Sequence, residues 1–346
     1  MPVRDVPFSQ TEASEPEPPP VRDLFGSAET RNTAWRFHLF DRLTGGALVG
    51  LDAALRRLPL SWGPGLGAFL AGILRRLDRK RIYARRIAYN LAKLAPGGPL
   101  DGRALAELDA RWWRNAGMTK GEYSGVERYR TAGRVTLEGY ETLTRMGLDK
   151  GQFIYVSVHL GSFEVLGEFV NNGLKRSCIG IWEPERNRFV NRLLSRLRRR
   201  YGMYVFPPGQ RSARHIRRCV VDNGTDILCF VDEVRDRQSH LPTFGRPLPE
   251  RCNAVNAVKL ALRSGAPLVP IYMLREPGGR FRVRMHPPLP LDREAQVDDA
   301  VVKALGEIDR FFDPIVRANL EQWWMLSEVR LPGFVAHPRE ARARDQ

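Results

Sequence analysis

Residues Tyr155–Phe169 read YVSVHLGSFEVLGEF. The overlapping piece Phe153–Val158, FIYVSV, is β-branched and aromatic and carries no charge. That composition predicts a buried strand. His159 stands where the strand should end. Gly161 permits a tight turn, and Ser162 is a good helix N-cap. Glu164 then falls in the first turn of a helix running through Val165, Leu166 and Phe169. The stretch brings an imidazole and a carboxylate together at the carboxyl end of a strand, where α/β folds place ligand sites. A neutral His takes a proton from a hydroxyl near pH 7, and a carboxylate behind it fixes its tautomer. The pattern H-x4-E is short, and six His with 39 acidic residues produce about 0.7 such coincidences by chance. A strand-ending His followed by an ordinary first-turn helix charge is the other reading of these residues.

Working outward, Asp226–Val231 (DILCFV) is a second buried strand, ended by Asp232, and Ala266–Met273 (APLVPIYM) is a third. Cys178–Trp182 and Tyr204–Phe206 read as short strands, and Phe281–Met285 alternates as a strand does. Helical patterns fill residues 100–129, 187–201, 212–222, 253–262 and 298–317. The first of these is one long helix or two, and the second is strongly basic. Helices alternating with buried strands predict a mixed α/β fold, a mostly buried sheet flanked by helices. There is no glycine-rich phosphate loop and no G-x-S-x-G elbow.

The ends of the chain differ in character. Residues 1–32 are acidic and proline-rich (EASEPEPPP) and predict a disordered or loosely attached tail. Residues 33–77 form an amphipathic or apolar helical segment. Trp35, Leu39, Leu43, Ala47, Leu51, Leu55 and Leu58 make one stripe, and Pro59 closes it. Trp62–Leu74 (WGPGLGAFLAGIL) is an apolar run of thirteen residues, whereas spanning a bilayer needs about 20. It therefore reads as interfacial or core-packed. Seven Lys or Arg follow within the twelve positions 75–86. Such a run suits a solvated helix face or anionic headgroups. Residues 78–335 make the main domain, and 336–346 a C-terminal tail.

A net charge of +16 and a pI near 10.3 imply a negative partner: nucleic acid, an anionic membrane surface or an acidic protein. Four Cys without C-x-x-C spacing point to a reducing compartment and no disulfide framework. The first thirty residues lack an apolar core, so no cleavable signal peptide is expected.

Thr136–Glu164, TLEGYETLTRMGLDKGQFIYVSVHLGSFE, resembles the block that opens the catalytic domain of the late lipid A acyltransferases. Members of that bacterial family carry a G-x-E-like turn, a helix, a G-K-G-like turn, a hydrophobic strand and H-x-G-N-W-E. Here the last piece is HLGSFE, with Ser162 and Phe163 as departures. The resemblance runs over roughly residues 79–331. RRIAYNLAKLAP matches an R-x-x-x-x-N-L-x-x-x-x-P segment, and Arg200 with Gly202 matches an R-x-G. Asp232 matches the acidic residue after the second strand, and Thr243-Phe244-Gly245-Arg246 an F-F-G-like turn. Glu183 replaces the arginine of a Y-R-P element, and Ser327 and Glu328 alter the closing segment.

The resemblance implies an acyltransferase with His159 as general base and Glu164 orienting it. Gly161, Ser162, Arg200, Asp232 and Arg246 are its substrate-binding candidates, with Asp232 near the cleft. It implies an acyl-acyl carrier protein donor, a hydroxyl of an anionic lipid A precursor as acceptor, and no metal or cofactor. It also implies peripheral or monotopic attachment to the cytoplasmic face of the bacterial inner membrane, with no nucleic-acid partner. Another membrane glycolipid or lysolipid is the alternative acceptor. A non-catalytic basic protein that binds membranes or nucleic acid is the rival class, but it leaves the uncharged strand before His159 without a role.

Overall fold

The computed structural model describes residues 6–335. The C-terminal tail expected at 336–346 and residues 1–5 lie outside the described residues. In chain order the strands are β1 (Val135–Glu138), β2 (Ile154–Ser157), β3 (Cys178–Ile181), β4 (Tyr204–Phe206) and β5 (Asp226–Phe230). They continue with β6 (Val234–Arg235), β7 (Gln238–Ser239), β8 (Leu268–Glu276) and β9 (Arg280–Met285). A seven-stranded sheet has the order β1-β9-β8-β2-β5-β3-β4. The five strands from β8 to β4 run parallel; β9 is antiparallel to β8 and parallel to β1. The pair β6–β7 is a separate hairpin turned by Asp236 and Arg237, both at positive φ, the backbone that tight hairpins need.

The helices are α1 (Ala28–Trp35), α2 (Asp41–Leu55), α3 (Trp62–Leu77), α4 (Ile82–Leu94), α5 (Gly102–Glu122) and α6 (Val126–Thr131). Then follow α7 (Tyr140–Arg145), α8 (Phe163–Glu168), α9 (Arg188–Arg200), α10 (Gln210–Arg217), α11 (Asn253–Ser264) and α12 (Val297–Ala318). Short π-helical turns join α1 to α2 and extend α8 and α10. Asp101 caps α5 by accepting the Ala104 amide at 2.7 Å. Gly265, at φ 76°, ends α11.

The central strands are buried on both faces, which is why they are mostly apolar; the buried Asp226 that opens β5 is paired with Arg176. In β2, Ile154 and Val156 join one core with α4, α11 and α12, while Tyr155 joins the other with α8. This is the period-two alternation of a pleated strand. Each such fully buried aliphatic side chain contributes about 1.5–3 kcal/mol. Trp112 and Trp113 are buried in the first core, and Trp112 donates to the Trp323 carbonyl at 2.8 Å.

Helices α3 and α5 cross through glycine. A Cβ on Gly67 would lie 2.1 Å from the Gly117 carbonyl oxygen, and one on Gly121 would lie 2.1 Å from that of Gly63. Two G-x-x-x-G faces therefore meet backbone to backbone. This packing spends the small residues of the apolar run on α5. Its large side chains, Trp62, Phe69, Leu70, Ile73, Leu74 and Leu77, stay exposed. The basic cluster after it is partly engaged inside the fold. Arg75 pairs with Asp109 at 2.6 Å, and buried Arg86 donates to the Ser327 carbonyl.

Where composition predicts a disordered or loosely attached tail, residues 6–13 are packed on the fold, while residues 14–32 stay largely exposed. Val6 is buried, Phe8 stacks on Tyr204 with ring centroids 4.1 Å apart, and Trp182 donates to the Thr11 carbonyl. Glu12 and Glu15 pair with Arg199 and Arg192 of α9. Two of the acidic residues that predict disorder when read alone, Glu12 and Glu15, are thus neutralised by a basic helix that is distant in sequence.

Candidate active site

The strand β2 leads directly to the site. Its last residue, Ser157, pairs in parallel register with Phe230, the last of β5. Two residues beyond each lie His159 and Asp232, so the register sets them side by side. Asp232 Oδ2 accepts the His159 backbone amide at 2.8 Å, and Oδ1 lies 2.7 Å from Nδ1 of the ring. Trp323 also donates its indole N–H to Oδ2 at 2.8 Å. Asp232 is fully buried. An ionised carboxylate only accepts hydrogen bonds, so Nδ1 carries the proton and Nε2 keeps its lone pair. Among the described residues Nε2 has no partner. The ring stacks on Phe230 at 4.1 Å and meets the edge of Phe163 at 4.9 Å.

The turn after His159 is clamped from elsewhere. Gly161 sits at φ 59°, and a Cβ there would meet the Met273 carbonyl oxygen at 2.8 Å, so only glycine fits. Its amide donates to the Gln322 carbonyl, and its own carbonyl accepts the Thr119 hydroxyl. Trp324 donates its amide to the His159 carbonyl at 2.9 Å.

His159 lines a cavity of ≈ 710 Å³ between the carboxyl ends of the central strands and helices α9 and α10. Apolar walls come from Leu194, Met203, Val205, Ile216 and Leu228, and polar ones from Lys120, Arg198 and Glu233. Its size and mixed lining are those of a ligand site. Glu233 accepts the Asn253 amide at the start of α11 at 2.5 Å. Burial, which outweighs that bond, pushes its carboxyl up to about 8.

Several expectations are corrected here. Glu164 is buried in the wall of this cavity but does not orient His159. Arg198 Nη2 donates to Glu164 Oε1 at 2.5 Å, and the Tyr201 hydroxyl to Oε2 at 2.8 Å. Burial would raise the Glu164 carboxyl, but Arg198 and Tyr201 outweigh it and hold it below its ordinary range. The carboxylate behind the imidazole is that of Asp232, because the parallel register delivers it there. Ser162 holds the N-cap position through its backbone alone. Its side chain makes no cap bond, and its buried hydroxyl has no partner among the described residues.

Gly161 and Ser162 thus build the turn, and neither lines the cavity. Arg200 pairs with Glu127 at 3.2 Å. It lies two residues, about 200° of helix, beyond Arg198 and so faces away from the cavity. Arg246 donates to the carbonyls of Thr243, Ser239, His240 and Pro242. It holds its own loop together rather than the cavity. Arg198, Phe230 and Trp323 were not singled out from sequence. The helical stripe Leu194–Arg198–Tyr201 inside the basic run was the available signal for Arg198.

A comparison with curated proteins finds no match. A family model described as bacterial lipid A biosynthesis acyltransferase matches residues 35–329. That span includes all nine strands of the described residues, His159, Asp232 and the whole cavity wall. With the strand–His–turn–Glu block inside a match of this length, the chain belongs to the bacterial lipid A biosynthesis acyltransferase family.

Proposed function

We propose that the protein transfers a fatty acyl chain from acyl-acyl carrier protein to a hydroxyl of a lipid A precursor, with His159 as general base. The hydroxyl proton goes to Nε2 as the oxygen attacks the thioester carbonyl. Asp232 keeps the Nδ1–H tautomer and stabilises the imidazolium. When the tetrahedral intermediate collapses, the C–S bond breaks and the thiolate takes the proton back from Nε2. The step balances without a covalent acyl-enzyme. The observation that carries this reading is the His159–Asp232 pair, whose His159 lines a cavity with an apolar wall. An acyl chain matches the apolar lining.

A bilayer-resident acceptor requires access to the membrane surface. No helix among the described residues is long and apolar enough to cross a membrane. We place the protein on the cytoplasmic face of the inner membrane through the exposed side chains of α2 and α3. Leu43 is 72% exposed, Trp62 59% and Phe69 65%. Such side chains suit an interfacial rather than a spanning helix.

The test is a reconstituted reaction with acyl-acyl carrier protein and a lipid A precursor, read by lipid mass. His159→Ala should lower transfer by at least about 100-fold while the protein remains folded. A folded variant that keeps most of its transfer removes His159 from the mechanism. No mass gain with the wild-type protein removes the acceptor.

A further inference from the structure

A second cavity, ≈ 610 Å³, lies against the outer side of α9, apart from His159. Its walls include Glu15, Phe37, Arg42, Arg188, Phe189 and Arg192. Its lining thus sets three guanidinium groups against one carboxylate, with buried Asp41 behind Arg188 as a second. Arg188 is built into the fold, with its side chain only 6% exposed. Its guanidinium stacks over the Phe37 ring at 3.7 Å, and Nη2 donates to the Phe37 carbonyl. Its Nη1 has no hydrogen-bond partner and stands 3.8 Å from Asp41 Oδ2. Arg192 is held by both oxygens of Glu15, at 2.5 and 2.6 Å. Among the described residues Arg42 has no ion-pair partner.

A buried, under-neutralised arginine between two exposed ones is the donor set for a tetrahedral oxyanion, and the forked Glu15 contact occupies part of it. The Glu15–Arg192 pair is about half exposed on both sides, so it is weak and displaceable. The same helical segment carries exposed Leu39, Phe40 and Leu43 beside Arg42. Apolar side chains flanking an arginine pocket match the two halves of a phospholipid, its acyl region and its phosphate.

We propose that the Arg42–Arg188–Arg192 cavity binds the phosphate of an anionic lipid headgroup at the bilayer surface, and that Glu15 is its built-in competitor. In solution Glu15 closes the pocket; at an anionic surface the lipid phosphate displaces it. The proposal rests on the reading that the acceptor lies in a bilayer, and it adds a site at which the protein senses that surface.

The test is co-sedimentation of the full chain with vesicles of phosphatidylcholine, alone or containing phosphatidic acid. On phosphatidic acid vesicles, Glu15→Gln should bind about five-fold tighter, and Arg42→Gln with Arg192→Gln about 25-fold weaker, at about five-fold per charge. On phosphatidylcholine alone the variants should match the wild type. Glu107→Gln, and Arg103→Gln with Arg310→Gln, make the same charge changes at exposed pairs elsewhere. These controls should shift binding less than two-fold.

Equal shifts in the controls assign the effect to the diffuse charge of the protein and overturn the proposal, as does a Glu15→Gln variant that binds like wild type. If millimolar inorganic phosphate raises the melting temperature only while Arg42 and Arg192 are present, yet vesicle binding ignores them, the ligand is free phosphate and the lipid assignment is wrong. If the wild type binds neither vesicle, the bilayer reading itself falls and this proposal with it. Vesicle binding indifferent to all three residues sinks only the site.

Discussion

Trp323 donates its indole N–H to the same Asp232 oxygen that receives the backbone amide of His159. The carboxylate is therefore fixed by two donors before it meets the imidazole. Asp232→Asn replaces one acceptor oxygen with a donor and breaks this set. Transfer should fall by about 100-fold or more. Trp323→Phe keeps a ring in place but removes one hydrogen bond to a charged group, costing about 1.5–3 kcal/mol of stability. Steady-state rates and thermal melts of both variants check this. An Asp232→Asn variant with wild-type rates would show that the pair is only a strand-end clasp.

Glu164 should behave as a structural carboxylate. Glu164→Gln leaves Arg198 buried with an unpaired charge, a loss of about 3–5 kcal/mol when one partner of a buried pair is removed. The sign with pH follows from its lowered carboxyl. Its contribution is full above the ordinary value of 4.5 and is lost as pH falls through the lower folded value. Acidification should thus narrow the stability gap between wild type and variant, which denaturant melts at pH 7 and below 4.5 would measure. A variant that melts like wild type yet has lost transfer would return Glu164 to the chemistry.

Glu233 has the opposite sign. Its carboxyl moves from 4.5 to about 8, chiefly through burial, with Asp232 adding to the shift. The Asn253 amide and Arg235, whose Nε is 4.0 Å from Oε1, oppose it. Between those values the folded state binds the proton and the unfolded chain does not. The wild type therefore loses stability as pH rises from 4.5 to about 8. Glu233→Gln should be flatter over that range and more stable than wild type at pH 9. Parallel melting curves at pH 5 and 9 for the two proteins would contradict it.

Gly67 and Gly117 allow α3 to sit against α5. A β-branched residue at Gly67 would drive its Cβ to 2.1 Å from a carbonyl oxygen, and backbone cannot yield as a flexible side chain can. Gly67→Val should release α3, making the 56–78 segment protease-sensitive, whereas Gly72→Val, which meets nothing within 4 Å, should leave it protected. Limited proteolysis with mass mapping separates the two. The same packing means that deleting residues 1–77 would uncover the glycine face of α5. Attachment is better tested by polar substitution of Leu43 and Phe69.

Much of the fold was legible because local chemistry sets it. Mostly apolar runs gave β2, β5 and β8 within a few residues, and helical patterns gave α5, α9, α11 and α12. The turn at Gly161 was legible because only glycine accepts that backbone, and His159 followed as the residue at the strand end. The short edge strand β1, half-buried and next to charged residues, carried no such signal.

What the sequence by itself determined is the type of layer and the presence of an imidazole at a carboxyl edge. Both follow from residues adjacent in the chain. What only the tertiary structure decided is which carboxylate serves that imidazole. Glu164 is five positions from His159, and Asp232 is 73 away. Parallel pairing of β2 with β5 brings the distant residue to the ring, while the nearby one turns to Arg198 across the cavity. The same rule separates Arg198 from Arg200, two neighbours in one basic run. Helix rotation sends one into the cavity and the other to Glu127. Strand register is a property of packed elements and is not written in a local stretch of residues; the phase of α9 shows in its Leu194–Arg198–Tyr201 stripe, but packing decides what that stripe meets.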